Sequence, residues 1–336
     1  MKYTMTQDFS VLHTKPYYDA YSAQFKIHQD YFHHPEFQFA CLSVFAKTSE
    51  CFLFSAFKGE KLIGYMAFRT EIKKLRFIKY PFLVPVAENV AEYHYPVIDR
   101  QYTVPVLQFL DEALKDYNVY FPQMPGYFQH LISLHIKQSF VRYTMGNPLL
   151  IGADEMLAAS NKRTLKKNKR QLERKHTMKV EHLSENIPDD LLDTFFAIHI
   201  ERWEREGINS FFKQERYKEI YRKLAKLSIE GQGHSLLSVF SVDDQVLSMD
   251  FGFLFKDHYL VQIAATKQNE ITSSAGSLLN KESLEYMGNK GLRVFDLGVG
   301  VEPYKLRYIN YINTYFTVVK FKSKWHSLLQ RICLKK

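Results

Sequence analysis

The stretch Val294–Tyr308, VFDLGVGVEPYKLRY, gathers the residues of this chain best suited to chemistry. A short apolar run, Val294, Phe295 and Leu297, carries Asp296. Gly298 and Gly300 follow, then Tyr304 and Lys305. Glycine permits a tight turn and a close approach of backbone to ligand. An acid at a strand end, a glycine turn, a phenol and an ammonium group together place polar groups where a sheet opens onto a ligand. The alternative is a strand, a loop and a helix start with no such duty.

The elements around it decide what can be positioned there. Leu236–Phe240, Val246–Phe255 and Tyr259–Ala265 read as three strands joined by the turns Val242–Gln245 and Lys256–His258. A polar loop, Thr266–Ser274, leads to a helix from about Gly276 to Met287, with Leu278, Leu279, Leu284 and Met287 at helical spacing and Gly288 and Gly291 as its stop. A strand Arg293–Leu297 follows, and a last one spans Tyr315–Phe321. The loop Ser273, Ser274, Ala275, Gly276, Ser277 bares the first amide N–H groups of the helix, where an anion such as a pyrophosphate can sit. A branched side chain at Gly276 is expected to obstruct that anion. The alternative is a plain N-cap. On a further helix, Asp189–Glu206, the residues Leu192, Phe195, Phe196, His199 and Trp203 share a face. His199 is either a general base or a core-edge histidine bonded to backbone. His199 and Trp203 are taken as the candidate acceptor-binding residues.

Strand meander, small-residue loop, helix, strand is the order found in GNAT acyltransferases. SSAGSLL followed by GLRVFDLGVGVEPYKLRY resembles the C-terminal signature of the cellulose-biosynthesis-type acetyltransferases, a GNAT branch related to the Fem-type aminoacyltransferases. The basic run Ser160–Lys175 resembles the segment that opens the catalytic half in that family. The likeness covers roughly residues 50–320, with the first half matching only in pattern. It implies an α/β (α+β) fold of tandem GNAT-like domains, each a mostly antiparallel mixed sheet with flanking helices. It also implies an acyl-coenzyme A donor bound at Ser273–Ser277. The reaction implied is attack by an amine or hydroxyl of a cell-envelope sugar, lipid or peptide on a thioester, or on an aminoacyl ester in the Fem-type alternative. Lys305 or Tyr304 then supplies the oxyanion donor or reprotonates the leaving group, and Asp296 or Asp250 takes the acceptor's proton. The usual loop, (R/Q)-x-x-G-x-(G/A), lacks its leading Arg or Gln at Thr272–Ser277. That departure keeps open a non-catalytic binding module that retained the fold.

The first half reads as a faded copy: strands Phe52–Phe57, Leu62–Phe68 and Leu75–Leu83, a helix Val106–Tyr117, and a strand Val119–Phe121. Its loop Arg100–Pro105 has no glycine, so the active site is expected in the second half or between halves. The expected divisions are 1–155 for a degenerate N-terminal domain, 156–176 for a basic linker helix, and 177–336 for the acyltransferase domain. A length of 336 residues suits two packed domains.

Net charge is +9, and Asn161–Lys175 holds eight basic residues against Glu173. Its possible partners are a polyanion, an acyl carrier protein, a nucleotide cofactor or tRNA; no DNA-binding pattern accompanies it. The cysteines Cys41, Cys51 and Cys333 and the thirteen histidines show no metal spacing, so no metal is expected. No apolar signal region or membrane-length run is apparent, and a cytoplasmic protein is expected. An apolar stripe, Trp325, Leu328, Leu329 and Ile332, lies among lysines and either closes the domain or rests peripherally on an anionic membrane.

Overall fold

The computed structural model describes residues 1–23, 31–75, 78–136, 139–184, 187–229, 233–268 and 270–322. The stripe from Trp325 to Ile332 and Cys333 lie outside the described residues. The chain divides into two compact units: Met1–Gly146 with Asn313–Lys336, and Asn147–Ile312.

Unit 1 begins with β1 (Lys2–Thr6), α1 (Lys15–Ala23) and α2 (Pro35–Phe45). Pro35 occupies the first turn of α2 and the His34 side chain accepts from the Glu36 N–H, so the helix start is fixed twice over. Three long strands follow: β2 (Cys51–Lys58), β3 (Lys61–Leu75) and β4 (Ile78–Pro85). Gly59, at φ +62°, makes the β2–β3 hairpin turn. Then come β5 (Val97–Ile98), α3 (Thr103–Ala113), β6 (Val119–Pro125) and α4 (Gly126–His135). The strand order is β1-β2-β3-β4-β6, antiparallel except that β4 and β6 run parallel at Leu83 and Val119.

The chain enters unit 2 within β7 (Ser139–Ile151). There follow α5 (Ala153–Ser160), α6 (Arg163–Glu173), β8 (Met178–Leu183), α7 (Asp189–Arg205), α8 (Glu215–Ala225) and β9 (Ser228–Ile229). A meander of β10 (Gly233–Val242), β11 (Gln245–Phe255) and β12 (His258–Thr266) leads to α9 (Ala275–Asn289) and β13 (Val294–Asp296). The sheet order is β7-β13-β12-β11-β10-β8. The chain returns to unit 1 within β14 (Tyr311–Lys320), which pairs antiparallel with β6.

The repeat is plain in this order. In each unit three antiparallel strands and a helix precede a strand that pairs parallel with the third: β2-β3-β4-α3-β6 and β10-β11-β12-α9-β13. The fold is the expected α/β arrangement of tandem GNAT-like domains.

The basic segment is two helices that break at Asn161–Lys162, rather than one helix joining halves. Leu165 and Leu172 of α6 are buried in unit 2's core clusters. Asn168 and Lys169 bind Ser274 and Glu282 at the start and middle of α9. In unit 1 the segment leading to the corresponding loop, Arg100–Pro105, is packed inside. From Val86 to Asp99 every residue except Asn89 is buried, and the Arg69 guanidinium binds Val86 O, Glu88 O and the Glu88 carboxylate.

Candidate functional site

Two strand features create an opening in unit 2. First, β12 and β13 pair at only three positions, His258–Val294, Tyr259–Phe295 and Leu260–Asp296. Beyond Leu260, β12 runs on to Thr266 without a β13 partner. Second, the β11–β12 register slips between Phe251 and Gly252, leaving Gln262 as the extra residue of a β-bulge. A bulged residue drops out of the ladder and turns its backbone toward new partners. The Gln262 Oε1 is buried and has no hydrogen-bond partner.

The start of α9 stands beside this opening. Ser274 is its N-cap, held by Asn168 Nδ2 at 3.0 Å from Ser274 Oγ, and its N–H donates to Thr272 Oγ1 at 3.0 Å. A groove runs between Glu270–Ser274 and the end of α6, and Arg174, Lys175 and His176 line its other wall. The cation absent from the loop sequence is thus brought in by a different element. Glu270 is the acid in the same lining. A Cβ on Gly276 would meet Thr266 Oγ1 at 3.1 Å and Ser248 Oγ at 3.8 Å. This glycine therefore lets α9 sit close on β11 and β12, and its missing side chain faces the sheet. The expected obstruction of an anion by a branched residue at 276 is corrected on that ground. Ala275 is buried against the core, and the Ser277 side chain lies near the Tyr308 hydroxyl. That proximity sets the Val294–Tyr308 stretch beside the serine loop, bringing the two sequence motifs together.

Within the stretch, Asp296 is fully buried at the end of β13. Its carboxylate accepts from Gly298 N at 2.8 Å and Asn147 Nδ2 at 3.0 Å, with His258 Nε2 at 3.3 Å. It fixes the turn in which Gly298 and Gly300 take φ of +72° and +114°. Lys305 is 6% exposed, and its ammonium reaches Gly298 O at 3.3 Å, Val299 O at 3.1 Å and Glu302 Oε2 at 3.0 Å. Three acceptors match its three donors, so Lys305 clamps the glycine turn. Tyr304, next to it, is 41% exposed. Its hydroxyl is pushed up to about 12, first by surrounding protein atoms and then by the Glu302 and Asp250 charges.

Asp250 projects from the centre of β11, opposite Ser238 and Ala264. It is 3% exposed, and no hydrogen bond joins its carboxyl to a described residue. Burial pushes its pKa up to about 7, against the opposing pull of Arg202. A carboxyl poised near neutrality beside an opening is suited to general acid–base work. The pKa of the Tyr259 hydroxyl is also raised by burial and by the Asp250 charge.

His199 is placed elsewhere in function. It is 3% exposed on α7; Nε2 accepts from Trp203 Nε1 at 2.7 Å and Nδ1 lies 2.9 Å from Ser210 Oγ. Burial holds its pKa down to about 3. One ring nitrogen is used within α7 and the other joins it to the turn after it, so His199 and Trp203, its donor, are not presented as an acceptor-binding pair. Sequence reasoning passed over Gln262, Arg202 and Tyr308 as site residues. The bulged strand has no glycine of its own to mark it, and Arg202 lies off the apolar helix face on which His199 and Trp203 were found. Among the described residues no group of His, Cys, Asp and Glu is arranged to hold a metal, and no helix is long and apolar enough to cross a membrane.

Residues 159–306 match the family model described as acetyltransferase (GNAT) domain. Among solved structures, FemX aligns with a TM-score of 0.62 at 11% identity, over 99% of this chain and 100% of that one. The C-terminal DUF2156 domain of a putative lysylphosphatidylglycerol synthetase from Agrobacterium fabrum aligns at 0.56 and 10%, covering 88% and 89%. A tandem GNAT protein from the clavulanic acid biosynthesis pathway aligns at 0.56 and 8%, covering 94% and 98%. Among curated proteins none matches the sequence. Similarities this low in identity speak for the fold alone: it is that of tandem GNAT proteins, and within it residues 159–306 are the span similar to the GNAT acetyltransferase domain model.

Proposed function

We propose that unit 2 transfers an acyl group from a pantetheine thioester, carried by coenzyme A or an acyl carrier protein, to an amine or hydroxyl of a cell-envelope sugar, lipid or peptide. The observation that carries this reading is the opening where β12 parts from β13, with the start of α9 and the Arg174–Lys175 groove at its side. A thioester can lie along the free edge of β12 with its phosphates toward the helix start. The backbone N–H at the Gln262 bulge is then the oxyanion donor. Asp250 takes the proton from the attacking amine or hydroxyl. The new C–N or C–O bond forms as the C–S bond breaks, and the thiolate takes a proton from Tyr304, whose phenol stays protonated at neutral pH. Lys305 and Asp296 act as positioning residues that hold the turn carrying Tyr304. The cellulose-biosynthesis-type branch belongs to this proposal as the source of the envelope acceptor.

Calorimetry with acetyl-coenzyme A, free coenzyme A and an aminoacyl-tRNA tests the donor. Saturable binding of both coenzyme A forms is expected, weakened about tenfold or more by Arg174→Gln with Lys175→Gln. Binding of the aminoacyl-tRNA alone would replace the thioester with an aminoacyl ester. Binding of neither would leave a non-catalytic module.

A further inference from the structure

One face of unit 2 combines charge and apolar exposure and shares only Arg174 and Tyr304 with the proposed acyl-transfer site. On α6 the residues Arg163, Lys166, Lys167 and Arg170, continued by Arg174, fall within about 100° of the helix circumference over about 16 Å. All five are exposed, and none makes an ion pair with a described residue. The opposite side of α6 is occupied: Leu165 and Leu172 are in the core, and Asn168 and Lys169 hold α9. Of the acids around this face, Glu173 is paired with Lys169 and Glu302 with Lys305, and Glu270 shares the groove lining with Arg174.

At the N-terminal end of α6, Lys162 donates to Arg307 O and lies 5.4 Å from the centre of the Tyr308 ring. This contact sets the cationic stripe beside the segment Val301–Arg307. There Val301 is 43% exposed, Tyr304 41% and Leu306 46%. Aliphatic side chains flanking a phenol, next to a stripe of unpaired cations, match the boundary of a lipid layer. The cations meet headgroup phosphates, the aliphatic tips enter the acyl margin, and the tyrosine sits between. A nucleic acid would use the stripe but offers nothing to Val301 and Leu306, since bases stack on aromatic planes rather than on aliphatic tips.

We propose that this face of unit 2, the α6 stripe with Val301 and Leu306, docks on an anionic lipid bilayer. The docking does not depend on acyl transfer, so it stands or falls separately from the function above. The surface would bring the opening beside Tyr304 to the level of the headgroups, where a lipid-borne acceptor would be found.

The test is co-sedimentation of the full chain with vesicles of phosphatidylglycerol and phosphatidylcholine, and with phosphatidylcholine alone, in the absence of any donor or acceptor. Binding is expected only to the anionic vesicles and is expected to weaken as salt is raised. Lys166→Glu with Lys167→Glu and Arg170→Glu should reduce it at least about tenfold. Val301→Ser with Leu306→Ser should leave a residual binding that salt abolishes completely. Circular dichroism melts of both variants check that they fold; should the charge-reversed chain fail that check, the glutamines at the same three positions replace it. Equal binding to both vesicle types, or charge variants that bind like the wild type, would overturn the proposal. So would capture of a transfer RNA by the stripe with no binding to anionic vesicles.

Discussion

At the scale of single residues, the sequence pointed to Lys305 as an oxyanion donor and to Asp250 as a base. The two differ in their surroundings: Lys305 is tied into the glycine turn, Asp250 is buried in the sheet. Lys305 was legible as important because it follows two glycines and a tyrosine. Its burial was not, because Gly298 O and Val299 O become acceptors only once the turn has closed on Asp296. Lys305→Ala leaves two buried carbonyls and Glu302 without their cation, and is expected to cost about 2–3 kcal/mol in urea unfolding. Unchanged stability with turnover down about 10²-fold would instead make Lys305 a direct oxyanion donor. Asp250 gives a pH signature of its own. Its pKa is raised in the folded state, from 3.8 to about 7, so the folded chain binds the extra proton between those values. Its ionisation therefore costs stability as pH rises through that window, and the full cost stands above about pH 7. Asp250→Asn should stabilise the chain at pH 8, by at most about 4 kcal/mol, and by nothing below about pH 4. The same substitution should remove an inflection near pH 7 from kcat/KM, because the base is gone. A variant less stable than wild type at pH 8 would contradict the burial argument. No sequence pattern announced this shift, since it arises from α9 laid over a strand that precedes it by many residues.

At the scale of elements, the meanders were the most readable part. Strands of alternating apolar residues broken by Lys58-Gly59-Glu60, Asp243-Asp244 and Lys256-Asp257 have one plausible pairing, and β2–β3 and β10–β11–β12 adopt it. The helices α1 and α2 escaped notice because the buried face of α1 is Tyr17, Ala20 and Tyr21, and α2 is too uniformly apolar to show a stripe. The slip in β12 escaped too, for a physical reason that Gly252 makes clear. A Cβ at Gly252 would lie 2.3 Å from Leu260 O and 2.9 Å from the Tyr259 hydroxyl. The glycine is there for close approach of β12 at the bulge, on the strand opposite the extra residue. Gly252→Ala must push these strands apart and is expected to cost about 3 kcal/mol or more, with activity falling at once because the Gln262 N–H moves with the bulge. Thermal melts and coenzyme A affinity read the two effects. A tolerated alanine, within about 0.5 kcal/mol of wild type, would show that the register at Gly252 is free to relax.

At the scale of the whole molecule, the repeat was legible and its division along the chain was not. Unit 1 takes its last strand from a segment that follows all of unit 2, so a boundary drawn in sequence cannot separate them. Nothing local marks Tyr315–Lys320 as belonging to the first unit; the pairing with β6 and the packing of Phe321 on Phe82 and Val84 decide it. Lys320 shows how firmly the strand is held. Its ammonium is 4% exposed and reaches Asp111 Oδ1 at 3.2 Å and Leu114 O at 3.1 Å, at the C-terminal end of α3. A cation there satisfies carbonyls that the helix leaves open and offsets the negative end of its dipole. Lys320→Ala strips a partly buried carboxylate and the helix end together, so unit 1 should lose about 3 kcal/mol. Coenzyme A affinity should stay within about twofold of wild type, because the proposed donor site is built wholly from residues of unit 2. Hydrogen exchange resolved by segment, alongside calorimetry on the same sample, separates the two. Faster exchange confined to α3, β6 and β14 with intact affinity is the expected pattern. Loss of affinity in step with unit 1's protection would mean that the donor site depends on the first unit after all.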